Sequence, residues 1–180
     1  MALAKTFNVD MNSATGVPLG STTPGSEFVV MYGAVNAGTE FNISAIRVGT
    51  YAGSSASFPS NGTVTFRLRR VSSTFSAGLQ GATATAYAVS QSTTAALSAW
   101  YYSTWTNATG TFANQGATAP VVWEQTIPCT AGANWGEWFT PGFELNLGAA
   151  GAGSLALTYE VGGGVTGTNV NLMAGLVISE

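Results

Sequence analysis

Apolar and polar side chains alternate strictly in several segments of this chain, and that period limits the fold to one built of strands. In Val64-Thr65-Phe66-Arg67-Leu68 the repeat is two, the spacing that sends one side chain to a core and the next to solvent. Ser154 to Val161 repeats it, with Leu155, Leu157, Tyr159 and Val161 on one face, and Phe143 to Leu147 is a third case. Glu27 to Tyr32 and Leu172 to Ile178 are more continuously apolar and read as strands covered on both faces. Lys5 to Val9, Phe41 to Val48, Thr85 to Ser90, Ala119 to Ile127 and Trp135 to Thr140 are weaker strand segments. Only Ala95 to Tyr102 offers a short helix.

Turn-formers separate these segments: Pro24-Gly25, Ser60-Asn61-Gly62, Asn114-Gln115-Gly116, Pro141-Gly142, Gly148 to Gly153 and Gly162-Gly163-Gly164. About ten short strands spaced about 10–15 residues apart predict an all-β chain, a single antiparallel β-sandwich of jelly-roll type. The 180 residues suffice for one domain. Residues 1–25 read as an extended amino-terminal arm plus a first strand. Residues 26–180 read as the sandwich, with a long irregular insertion around residues 82–118.

Charge is the scarce commodity. Five Lys and Arg and eight Asp and Glu make up 7% of the chain and leave a net charge of −3, where an ordinary domain is about 25% charged. A folded monomer of this size exposes roughly 8,000 Å², so each formal charge has roughly 600 Å² of surface to itself. This excludes electrostatic capture of nucleic acid and a polybasic membrane patch. The chain has no His, so no imidazole base or imidazole metal ligand is available. Cys129 is the single cysteine, which excludes an internal disulfide and a thiolate cluster; it reads as a small buried hydrophobe. No cofactor or metal is expected. The amino end lacks the long apolar segment of a secretory signal and no run is long enough to span a membrane, so folding in a cytoplasm is expected.

Three constellations bear on function. Glu124, Glu137, Glu144 and Glu160 sit on strand segments, and a jelly roll with two glutamates 5–5.5 Å apart can be a retaining glycosidase. Pro120-Val121-Val122-Trp123-Glu124 is similar to the nucleophile strand of the small xylanases. No second glutamate stands in the aromatic and serine context which that family requires, so these carboxylates read as solvent-facing or paired with arginine, and no catalytic residue is assigned. Arg67, Arg69 and Arg70 cluster in a chain otherwise holding only Arg47 and Lys5. Alternation puts Arg67 and Arg69 on one face and Arg70 with Leu68 on the other. They are either a solvated strand face or the contact for acidic residues of a partner subunit. Trp100, Tyr101, Tyr102 and Trp105 lie in the irregular stretch and could stack a sugar ring or anchor an interface. Trp135 and Phe139 share parity while Trp138 points the other way, giving core plus one exposed face.

Trp123-Glu124-Gln125-Thr126-Ile127-Pro128, Gly136 to Leu147, and Ser154-Leu155-Ala156-Leu157-Thr158 together resemble the β-rich decoration (cement) proteins of tailed bacteriophage heads. The likeness covers the carboxy-terminal third and the general composition, and it maps no functional residue. It implies a structural virion protein: a homotrimer on the capsid surface, assembled in the host cytoplasm, clamping the major capsid protein of the same particle. A neutral Ser/Thr/Asn/Gly surface loses little solvation on burial and suits that role. The alternative is a carbohydrate-binding or adhesin domain with surface glycans as partner, and a small glycosidase is the third reading.

Overall fold

The computed structural model describes residues 5–10, 17–18, 27–35, 41–52, 62–71, 81–89, 99–103, 120–130, 132–140, 145–147, 153–162 and 170–179. These residues form twelve strands. In chain order they are β1 (Thr6–Asp10), β2 (Val17–Pro18), β3 (Glu27–Val35), β4 (Phe41–Ala52), β5 (Thr63–Val71) and β6 (Gly81–Ala88). There follow β7 (Ala99–Ser103), β8 (Val121–Pro128), β9 (Asn134–Trp138), β10 (Leu145–Leu147), β11 (Gly153–Val161) and β12 (Val170–Ser179). The protein is all-β, and every strand pairing is antiparallel.

Two four-stranded sheets carry the fold as a β-sandwich. The first runs β1-β12-β4-β9 and the second β3-β11-β5-β8. β10 joins β9 in pairing with β4, and β2 pairs with the start of β12. β6 connects the layers. Its Gly81–Ala84 half pairs with β7 at the side of the second sheet, and its Thr85–Ala88 half pairs with β1 of the first. β1 therefore has a neighbour on each edge, β12 and β6, and is an interior strand.

Period-two burial fills the space between the layers. Val64, Phe66 and Leu68 from β5 meet Leu155, Leu157, Tyr159 and Val161 from β11, and the first sheet supplies Phe7, Val9, Ile46, Val48, Leu172 and Leu176. The expected face of β11 is the core face. Phe28 stacks on Tyr159 with ring centroids 5.5 Å apart. A bulge explains the continuous apolar run of β3: Met31 faces Leu157 and Val29 faces Thr158, so the extra Val30 brings two successive side chains, Val30 and Met31, into the core.

Two sequence expectations change. Ala99–Ser103 is strand β7, not the end of a short helix, in keeping with the preference of aromatic residues for extended backbone. Within 82–118, β6 and β7 are regular and paired, and the rest of that stretch lies outside the described residues, as does most of 11–26. Among the described residues no helix is long and apolar enough to cross a membrane.

Candidate functional site

On the outer face of the second sheet, alternation along β5 sends Arg67 and Arg69 away from the core while Phe66 and Leu68 face it. Antiparallel register then sets carboxylates beside them. Arg69 donates to Glu27 of β3 through Nε (2.7 Å) and Nη2 (2.8 Å), a two-bond fork. Arg67 donates through Nε to Glu124 of β8 (2.5 Å) and through Nη1 to Glu160 of β11 (2.5 Å). The Thr158 hydroxyl donates to Glu27 as well, and the Thr65 and Thr126 hydroxyls share a bond of 2.8 Å. Arg67, Arg69 and Glu27 are largely covered, with side chains 19%, 11% and 13% exposed. Burial of the Arg67 guanidinium works against its charge, but the bonds to Glu160 and Glu124 outweigh this and hold its pKa above the ordinary arginine value.

The outer face of the first sheet is built differently. One cross-strand row reads Asp10 (β1), Gly175 (β12), Arg47 (β4), Gly136 (β9), and the next reads Met173, Gly49, Asn134. Glycine beside Arg47 leaves its side chain room to lie across β12: a Cβ on Gly175 would stand 2.5 Å from Asp10 Oδ1 and 3.3 Å from Arg47 Nη2. Arg47 Nη2 donates to Asp10 Oδ1 (3.0 Å) and to Asn8 Oδ1 (2.5 Å), and Asn8 Nδ2 donates to Asp10 Oδ2 (2.8 Å). An open cleft of about 470 Å³ lies over these rows, with Gly49, Gly136 and Gly175 in its lining. Tyr51, 46% exposed, lines it with Met173, and Asp10, Arg47 and Asn134 supply its polar groups; Trp135 borders it by its backbone, its ring sharing the core-ward face of Val48 and standing 43% exposed at the edge.

The β8–β9 connection borders this cleft. The backbone N–H of Ala133 donates to the Thr130 carbonyl, and Gly132, the third residue of that turn, sits at φ 72°, which favours glycine. Thr50 of β4 ties the turn down, its hydroxyl donating to Thr130 O (2.6 Å) and its N–H to Ala133 O (2.8 Å). On the side away from β6 the layers end at β8 and β9. There Trp123 Nε1–H donates to Glu137 Oε2 at 2.7 Å, while Trp138 and Val121 stand 69% and 42% exposed.

Arg67 and Arg69 meet acidic residues of their own chain, which the register of β3, β5, β8 and β11 brings to them; Arg70 is exposed at the end of β5. Three of the glutamates have assigned partners, Glu124 and Glu160 on Arg67 and Glu137 on Trp123, and Glu144 lies outside the described residues. Trp100, Tyr101 and Tyr102 belong to β7, opposite Gly33, Tyr32 and Met31 of β3, rather than to an irregular loop; Trp105 lies outside the described residues. Trp135 and Trp138 are both exposed, and Phe139 packs against the core. The cleft residues Asp10, Arg47, Tyr51, Asn134 and Met173 were not singled out from sequence. The available signal was parity, since Arg47, Gly49 and Tyr51 share a face. Among the described residues no grouping of acidic, thiol or imidazole side chains could hold a metal ion. Comparison of the chain with protein-family models, curated proteins and solved structures returns no match.

Proposed function

We propose that the sandwich is a jelly roll serving as a structural virion protein, which decorates a phage capsid and stabilises the assembled shell. The nesting of the strands supports the fold reading. The first strand pairs with the last, and β11 and β12 each insert between two earlier strands of their own sheet, β3 and β5 or β1 and β4. That order is the one two Greek keys produce, an architecture common in viral capsid and lectin domains.

The observation that carries the role is the open side of the sandwich. β8 has no described neighbour beyond it, and β9 closes the other layer with Trp138 exposed. Such edges in a free protein invite pairing with other chains, and few charges are available to prevent it. Arg67 and Arg69 are already engaged internally, so the contact is carried by neutral and apolar groups. The partners on this reading are copies of the chain, as a homotrimer, and the major capsid protein. A ligand that binds only the assembled lattice shifts stability toward it by mass action.

The test is particle survival. Shells with and without the protein are challenged by heat and by osmotic shock, alongside native mass measurement of the free chain. Greater survival of decorated shells supports the role. Equal survival, or a strictly monomeric chain that leaves shells bare, ends it.

A further inference from the structure

We infer that the cleft on the outer face of the first sheet is a binding site for a neutral pyranose sugar, a mono- or disaccharide unit. The inference goes beyond the capsid role: the cleft shares the edge strand β9 with the open side but not the exposed Trp138 and Val121. Its volume of about 470 Å³ falls within the range of small-ligand clefts, about 300–1,000 Å³.

The chemistry fits the two faces of a sugar ring. A pyranose presents patches of C–H that pack on aromatic faces, and Tyr51 offers a large, half-exposed ring on the same face as the flexible, apolar Met173. Its hydroxyls need planar donor and acceptor groups around the rim. Asp10 and Arg47 supply a carboxylate and a guanidinium, and Asn134 a carboxamide. Arg47 uses Nη2 for both of its bonds to Asn8 and Asp10, which leaves Nε and Nη1 to donate to a ligand.

Charge selects the class. Arg47 is paired with Asp10, so the polar end of the cleft is neutral overall, and among the described residues no second cation lines it. A sialic acid or uronic acid would set its carboxylate beside Asp10 without a cation of its own. Glycine matters for shape at Gly136, where an added Cβ would meet only Arg47 Cγ at 3.8 Å and a side chain would enter the cleft; at Gly49 and Gly175 it would instead strike Ala133 O and Asp10 Oδ1. The polar groups are held in place before binding by the Asn8–Asp10–Arg47 bonds and by Asn134 Nδ2 donating to Gly132 O (3.2 Å), which lowers the ordering cost.

Calorimetric titration of the full chain with methyl glucoside, methyl galactoside, maltose, cellobiose and lactose, and with sialic acid as the anionic arm, tests this. Binding of at least one neutral sugar is expected, with a dissociation constant on the order of 0.1–1 mM. Tyr51→Ala and Asn134→Ala should each weaken it roughly tenfold or more, and Val89→Ser, on an exposed residue remote from the cleft, should leave it unchanged. The site is overturned if no neutral sugar in the panel binds at about 10 mM, or if binding survives both Tyr51→Ala and Asn134→Ala. Preference for sialic acid would overturn the assignment of a neutral ligand.

Discussion

Trp123 and Glu137 join the two layers at their open side: the indole N–H of β8 reaches the carboxylate of β9 across 2.7 Å. Trp123 is 8% exposed and part of the core, so its one polar atom is satisfied by a residue of the opposite sheet. Glu137→Gln keeps an acceptor of similar shape, whereas Glu137→Ala leaves the indole N–H unpaired. The expected cost of Glu137→Ala is about 1.5–3 kcal/mol, the range for a hydrogen bond to a charged group, with Glu137→Gln recovering part of it. Urea unfolding should show a lower midpoint at an unchanged slope.

Arg69 and Glu27 make a fork that is mostly shielded from water, so removing the guanidinium leaves the covered Glu27 carboxylate with only the Thr158 hydroxyl and Arg67 at 3.9 Å. Arg69→Met is expected to destabilise by about 2 kcal/mol, between the limits for exposed and fully buried pairs. Arg69→Met with Glu27→Gln should cost less than the sum of the two single changes. A double-mutant cycle measured by thermal unfolding gives the coupling directly, and additivity would show that the fork contributes nothing.

Cys129 is fully buried at the end of β8, where its N–H donates to Gly62 O. Burial pushes its thiol pKa up. The folded thiol thus keeps its proton at pH values where the unfolded one loses it. This contribution is complete below the unfolded value, about 8.5, and is lost as pH rises through the folded one. Cys129→Ala should flatten the alkaline decline in stability. In the parent chain, iodoacetamide should label the thiol only as fast as the protein opens.

Gly175→Ala places a methyl group against the Asp10–Arg47 pair. Asp10 must swing away, and the expected loss is about 1 kcal/mol, the scale of an exposed pair together with local crowding. Asp10→Ala removes the obstacle, so Gly175→Ala should cost clearly less in that background. Equal costs in both backgrounds would place the crowding elsewhere.

Sequence periodicity carried the strands and their inward faces well, because burial on a pleated sheet depends on neighbours two residues away. Val64, Phe66, Leu68 and the odd-numbered residues of β11 are the clearest instances. The partners of the arginines were not legible in the same way. Glu27, Glu160 and Glu124 stand 42, 93 and 57 positions from the arginines they meet, and only the order of strands across the sheet brings them together. The cleft was hidden for the same reason, since its row Asp10, Gly175, Arg47, Gly136 draws one residue from each of four strands. Trp100 to Tyr102 misled in the opposite sense: aromatic density amid small residues looked like a loop platform, yet it belongs to a strand paired on both sides.

Gly81–Ala88 belongs to both layers, and this makes the sandwich mechanically asymmetric. Along that border the layers are stitched by covalent backbone and continuous ladders, so it acts as the spine of a book. Opening under load begins more easily at the fore-edge, where the β8–β9 connection ties one end and the Trp123–Glu137 hydrogen bond latches the layers beyond it. Amide exchange should accordingly run fastest along β8 and β9 and slowest beside the spine in β1 and β12.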